Sequence, residues 1–144
     1  MVRLVELNRN NYWEVIELTV LENQRDYIVS NAVSMGQAKV QPECIPLAIY
    51  EEEQLVGFLM YCMDEDDHEY WIYRIMIDQA YQGRGYGKQA LKLVCEKIQE
   101  DTNHHRIYLG VHKENIMARR LYESMGFIPD GRAFGQEIVY QLIY

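Results

Sequence analysis

Apolar and polar positions along this chain fall into short runs of two periods, and the alternation between them predicts the elements. Residues 2–7 alternate apolar and polar, as a half-buried strand does. Residues 12–21 carry Trp13, Val15, Ile16 and Val20 in a helical pattern, with Asn10 or Asn11 as the cap. A second helix is predicted over 26–38, with Tyr27, Ile28, Ala32 and Met35 along one side. Pro42 and Pro46 break the chain before a strand at 47–50, and the turn 51–54 leads into a longer apolar strand at 55–63. An acidic loop, Asp64 to Glu69, precedes the strand 70–77.

Beyond that strand the period switches again. Residues 87–100 place Ala90, Leu91, Val94, Cys95 and Ile98 on one stripe of a helix. Residues 106–111 read as a strand, and 116–125 as a helix capped by Asn115 and stopped at Gly126. Residues 127–132 and 136–143 form a closing hairpin. Strand-strand-strand-helix-strand-helix-strand-strand from Leu47 onward implies an α/β (α+β) fold, a mixed, largely antiparallel central sheet with flanking helices. No repeat and no Pro/Gly/Ser-rich linker divides the chain, so residues 1–144 read as one domain.

Candidate chemistry centres on the junction Tyr81-Gln82-Gly83-Arg84-Gly85-Tyr86-Gly87-Lys88 between a strand and a helix. Glycines at alternate positions permit a tight turn and leave the first helical N–H groups uncovered. Those groups lack intrahelical partners and sit at the positive end of the helix dipole, a fit for a diphosphate. Arg84 and Lys88 add full charges there. Gln89 follows Lys88 where a P-loop needs Ser or Thr. The next strand ends in Gly110-Val111-His112, without the acidic residue that a dinucleotide-binding unit uses on the ribose.

Composition narrows the partners. The 144 residues are 49% hydrophobic and 25% charged, globular values, with a net charge of −8. That sign argues against nucleic acid and is compatible with a cationic substrate. No run approaches the roughly 20 apolar residues of a membrane span. Cys44, Cys62 and Cys95 are odd in number and scattered, which favours buried reduced thiols, no metal and a cytoplasmic location. The loop Asp64 to Glu69 lacks the residue order of a calcium loop, and His104-His105 lacks ligand partners at useful spacing.

Gln82-x-x-Gly85-x-Gly87 resembles the Q/R-x-x-G-x-G/A signature of the GNAT superfamily of N-acetyltransferases, and Asn115-x-x-Ala118-x-x-x-Tyr122-x-x-x-Gly126-Phe127 is similar to that family's next segment. The resemblance spans roughly residues 47–140 and implies the GNAT acyl-CoA N-acyltransferase fold with acetyl-CoA as cofactor. It implies that the backbone of Ile75, Met76 and Ile77 pairs with the pantetheine arm, and that Gln82, Gly83, Arg84, Gly85, Tyr86, Gly87 and Lys88 hold the diphosphate. Asn115 and Ala118 would flank the cofactor arm, and Tyr122 would protonate the leaving thiolate. The strand before the loop carries Trp71 and Tyr73 where several members have a glutamate, so Glu69, acting through water, is the candidate base.

Residues 24–38 and 70–78 resemble the bacterial spermine/spermidine (diamine) acetyltransferase branch. That implies direct acetyl transfer to a primary amine of a small polycation, held by Glu17, Glu22, Asp26, Tyr27, Trp71 and Tyr73. The family's habit implies a homodimer. The alternatives are acetylation of another amine (a protein lysine or N-terminus, an amino acid, an aminoglycoside) and a non-catalytic acyl-CoA sensor.

Overall fold

The computed structural model covers residues 1–144. Its elements are β1 (Val2–Glu6), α1 (Tyr12–Glu17), a 3-10 turn (Glu22–Tyr27), α2 (Asn31–Val40), β2 (Cys44–Glu51), β3 (Gln54–Met63) and β4 (Tyr70–Ile77), then a second 3-10 turn (Gln79–Tyr81), α3 (Tyr86–Gln99), β5 (Arg106–His112), α4 (Ile116–Ser124), β6 (Ile128–Phe134) and β7 (Glu137–Ile143). The seven strands lie in the order β1-β2-β3-β4-β5-β7-β6. Every neighbouring pair is antiparallel except β4 with β5.

The two-residue period of the strands divides the core between two faces. Leu47, Ile49, Leu59 and Tyr61 point toward α3, which buries Ala90, Leu91, Val94, Cys95 and Ile98 among them. Their neighbours Ala48, Phe58, Met60 and Cys62 point the other way, packing with Val15 of α1 and Met35 of α2. Covered on both faces, β3 is buried from Leu55 through Cys62, which is why it reads as a continuous apolar run.

Three boundaries differ from the sequence expectation, each for a local reason. Leu18 adopts an extended conformation (φ −62°, ψ 139°), so α1 stops at Glu17. The Thr19 N–H beyond it is taken by Asp78 Oδ1 at 2.9 Å. The helix expected over 26–38 begins at Asn31, because Ser30 caps it by accepting from the Val33 N–H at 3.3 Å. Residues 22–27 form the separate 3-10 turn, and Ile28 between them is extended. Pro46 lies inside β2 rather than ahead of it. β1 pairs with β2 only from Leu47 to Glu51, leaving the edge at Pro46 open, where a missing N–H breaks no ladder.

Two irregularities bend β4 and its partner. Met60 pairs with Arg74 and Tyr61 with Ile72, so Tyr73 is the extra residue of a bulge. On the opposite side β4 pairs with β5 only at Tyr70, Trp71 and Ile72. Beyond that bulge the two parallel strands diverge.

Candidate active site

The divergence of β4 from β5 leaves the β5-facing backbone of Arg74 through Ile77 without a strand partner. Unpaired peptide groups inside a fold need acceptors and donors from elsewhere. A cavity of about 290 Å³ fills the notch, lined by Tyr73, Arg74 and Ile75 on one side and by Gly110, Val111 and His112 on the other. A second cavity, of about 380 Å³, opens beside it toward the glycine loop. The two share Ile28, Ile75, Asn115, Ala118 and Tyr122 as walls, so they form one bent channel.

At the loop end, Gly83 and Gly85 hold φ of +80° and +81°, a region that suits glycine, and a Cβ at either would meet no atom within 4 Å. Gly85 is the N-cap of α3 and supplies no side-chain cap, so the first-turn N–H groups face the cavity bare. Gly83, Gly85, Tyr86, Gly87 and Lys88 line that cavity, as do Ile75, Met76 and Ile77. This shape fits a long thioester cofactor: a cationic, donor-rich end for the diphosphate, and a strand edge for the arm.

Two loop residues sit differently from the sequence expectation. Arg84 is not a wall of the cavity; its guanidinium lies over the Tyr81 ring at 5.6 Å. Gln82 lines the cavity, yet its amide is committed to the protein, donating to the Ile77 carbonyl at 3.0 Å and to Gln24 Oε1 at 2.9 Å. Gln24 returns a bond to Gln82 Oε1 at 3.1 Å. Gln82 thereby ties the loop to the end of β4 and to the first 3-10 turn.

Tyr122, on α4, is 6% exposed and stands where the two cavities meet. Phe127 and Tyr140 pack its ring at centroid distances of 6.1 and 6.4 Å. Burial pushes its phenol pKa well above the ordinary value, so the proton stays on the oxygen at neutral pH. Such a group is a proton donor and not a base. Asn115 caps α4, accepting from the Ala118 N–H at 3.3 Å, which turns that helix end toward the notch.

From the notch a trench continues along β4 away from the loop. It passes Gln37, Trp71, Tyr73 and Glu137, and ends in a cavity of about 360 Å³ among Asp64, Asp66, Asp67, Trp71, Tyr73, Arg132 and Phe134. Its acidic groups are held by local bonds. Asp67 accepts from the Trp71 indole at 2.9 Å, and Asp64 accepts from the Tyr73 hydroxyl. Desolvation and then the Asp64 bond push the Tyr73 pKa up.

Of the acceptor residues expected from sequence, Tyr27, Trp71 and Tyr73 lie on these walls, with the Tyr27 ring tilted 37° against His112 at 4.6 Å. Glu17, Glu22 and Asp26 are exposed and line none of the cavities. The reason is the early end of α1 and the 3-10 geometry of 22–27, which turn those carboxylates outward. Glu69 is absent from the walls as well, because it precedes the splayed part of β4. Its backbone is tied into the acidic loop, the N–H donating to Asp67 Oδ1 at 2.9 Å.

The carboxylate that does line the notch is Glu137, at the start of β7. Its Oε2 lies 3.4 Å from where a Gly110 Cβ would be, so the bare glycine of β5 makes room for it. Sequence reasoning missed Glu137; the one available signal was the lone glycine within the strand 106–112. Arg74 was missed too. Its Nη1 donates to the Tyr73 carbonyl at 2.9 Å and its Nη2 to Gln37 at 3.0 Å, while the buried Nε has no partner.

A sheet split between two parallel strands, a glycine loop at a helix N-terminus and a buried phenol at their meeting point define an acyl-CoA-dependent transferase. The profile of the Acetyltransferase (GNAT) family matches residues 9–127, and the chain belongs to that family. It is 36% identical over 132 residues to the spermine/spermidine N(1)-acetyltransferase of Bacillus subtilis strain 168, covering 88% of this chain and 87% of that one. A 5-NmdU N-acetyltransferase of Pseudomonas phage PaMx11 is 35% identical over 60% of the chain. Among solved structures, the spermidine N-acetyltransferase of Vibrio cholerae in complex with CoA and spermine superposes with a TM-score of 0.77 at 19% identity, over 99% of this chain and 95% of that one. A domain from Methanocaldococcus jannaschii superposes at 0.82 with 14% identity, over 100% and 99%. The protein is an acetyltransferase that uses acetyl-CoA.

Proposed function

We propose that this enzyme acetylates a primary amine of a small polyamine or diamine. The observation that carries the reading is the trench: aromatic faces at Trp71 and Tyr73 alternate with the carboxylates of Glu137, Asp64, Asp66 and Asp67, and it opens into the notch that Tyr122 lines. Flexible cations are held by such surfaces through ring faces and charge-assisted hydrogen bonds. The 36% identity to the Bacillus enzyme supports the same acceptor class.

Acetyl-CoA supplies an activated acyl group as a thioester: the amine forms the new C–N bond while the C–S bond breaks. The chain's part is to position and to move protons. Gly83, Gly85, Tyr86, Gly87 and Lys88, with the first turn of α3, would hold the diphosphate, and the free edge of β4 at Ile75 to Ile77 would align the arm and offer N–H donors to the carbonyl oxygen. An alkylammonium, with pKa near about 10.4, must lose a proton before it attacks. Glu137, beside the notch, receives that proton directly or through water, in place of Glu69. Tyr122 gives its hydroxyl proton to the departing sulfur and regains one, directly or through water, from the second proton that the acylated nitrogen sheds.

Three subsidiary features belong to this reading. The buried, unbonded Cys44, Cys62 and Cys95 suit the reducing cytoplasm. The open edge of β6 with exposed Ile128 suits a homodimer, and sedimentation measures that assembly. The V. cholerae relative is described as dodecameric.

A second reading rests on Arg74, whose guanidinium lines the notch without a carboxylate partner. An acceptor carrying both an amine and a carboxylate, such as an amino acid or a peptide N-terminus, would satisfy it. Thiol release measured against a panel of linear polyamines, diamines, amino acids and N-terminal peptides separates the two. Turnover confined to polyamines supports the first reading; preference for carboxylate-bearing amines overturns it in favour of the second.

A further inference from the structure

The far end of the trench already contains a cation. The Trp71 and Tyr108 rings stack at 5.1 Å, and the Arg132 guanidinium lies 5.5 Å from the first ring and 4.9 Å from the second. Asp67, bonded to the Trp71 indole, lines the same cavity as Arg132. Two rings against one guanidinium, with the Asp67 carboxylate on the same cavity wall, make a cation cage, and its occupant is the protein's own side chain.

The occupant is built to leave. Pairing between β6 and β7 is interrupted from Pro129 to Ala133, so Asp130, Gly131 and Arg132 bulge from an edge strand, with Gly131 at φ +95°. Arg132 is bound to Asp130 within the same bulge, at 2.8 Å through Nε and 2.7 Å through Nη2. Asp130 is only 9% exposed and stays anchored in the bulge, so Arg132 can turn off the rings while keeping that ion pair, and Asp67 stays behind to receive another cation. The Arg132 side chain is 44% exposed, at the rim of the cavity.

We propose that Arg132 is a removable plug that sets the length of acceptor the enzyme favours. This rests on the polyamine reading of the same site. Trp71 lies four residues before Ile75 on β4, roughly 13 Å at the usual strand rise, so the cage is about that far from the reacting amine. A short diamine lies wholly within the notch and never meets the plug. A linear tetraamine reaches the cage, and its distal ammonium displaces Arg132 from the rings.

The test compares KM for a linear tetraamine and a short diamine in the wild-type, Arg132→Gln and Arg132→Lys proteins. Gln empties the cage of charge, and the ratio of tetraamine KM to diamine KM is expected to fall about threefold or more, the range of a solvent-exposed cation–π contact. Lys restores a cation and should hold the ratio near wild type. A tetraamine titration followed by tryptophan fluorescence should show a larger change in Arg132→Gln than in wild type, and the difference should vanish when Trp71→Phe is added. A ratio unchanged or raised in Arg132→Gln overturns the plug while leaving the polyamine reading standing. Failure of the wild-type protein to acetylate either amine overturns that reading, and the plug with it.

Discussion

The two ends of the channel are built on opposite physical principles. The end proposed for the cofactor is largely backbone: glycines, a helix N-terminus and a strand edge, with Gln24, Gln82, Lys88 and Asn115 as its polar side chains beside Tyr122. The acceptor end is side chain: aromatic rings and carboxylates contributed by β4, β7 and two loops. A backbone site recognises one invariant group and tolerates little change in chain conformation. A side-chain site can be retuned by single substitutions without disturbing the sheet beneath it. Proteins that match this chain are named for different acceptors, spermine/spermidine and 5-NmdU.

That contrast can be broken by experiment, and the heaviest blow falls where the ends meet. Tyr122→Phe keeps the ring packing against Phe127 and Tyr140 and removes only the donor. Its kcat should drop by about 10²-fold or more while coenzyme A affinity, read by calorimetry, stays close to wild type. Because burial raises the Tyr122 pKa, its proton is retained through neutral pH and above, so the wild-type rate should show no alkaline fall from this group near pH 8 or 9.

Next in size is the backbone end. Gly85→Val forces a β-branched residue into φ near +81° and should raise the acetyl-CoA KM by about tenfold or more, with the acceptor KM little altered. On the acceptor side the effects should be smaller and selective. Glu137→Gln should lower kcat/KM for the amine by about tenfold, without weakening coenzyme A binding. An acetyl-CoA KM that moved as much would mean the two ends are not separate. The mildest contrast pits carboxylates against each other: Asp67→Asn should raise the polyamine KM a few-fold, and Glu22→Gln or Asp26→Asn should leave it within about twofold, since of these three Asp67 alone lines the trench. The Asp67 contribution should fade as salt rises from 0.1 to 1 M, where the Debye length shrinks from about 10 to about 3 Å.

The same division governs what was legible in the sequence. The end proposed for the cofactor lies almost within one strand-loop-helix unit, and its remaining members follow helical spacing from Asn115 to Tyr122, so local pattern brought these residues together, Arg84 excepted. The sheet and its helices were legible for the same reason, because period and glycine or proline punctuation mark elements locally. The acceptor end depends on pairings between distant strands. Glu137 reaches the notch only because β7 pairs with β5 in the register that sets His112 opposite Glu137. Tyr73 turns with the bulge in β4, and nothing in its own neighbourhood announces that extra residue. Glu17, Glu22 and Asp26 suggested an acidic wall because they are close in sequence to the predicted helices. All three are exposed in the structure: Glu17 ends α1, and Glu22 and Asp26 sit on a 3-10 turn, where the second helix was expected to begin at Asp26.

The reciprocal amide pair of Gln24 and Gln82 has a thermodynamic consequence. One partner belongs to the segment that walls the channel, the other to the loop that would grip the diphosphate, and each amide orients the other. Tyr27 of the same 3-10 turn lines the notch, so steadying the loop also steadies a wall of the acceptor side, and a coupling smaller than the separate effects of Gly85→Val and Glu137→Gln is expected between the two affinities. Linkage requires the factor to be the same in both directions. Dissociation constants for coenzyme A with and without amine, and for the amine with and without coenzyme A, should therefore shift by an equal ratio. Gln24→Ala should collapse that ratio toward one while each ligand still binds alone.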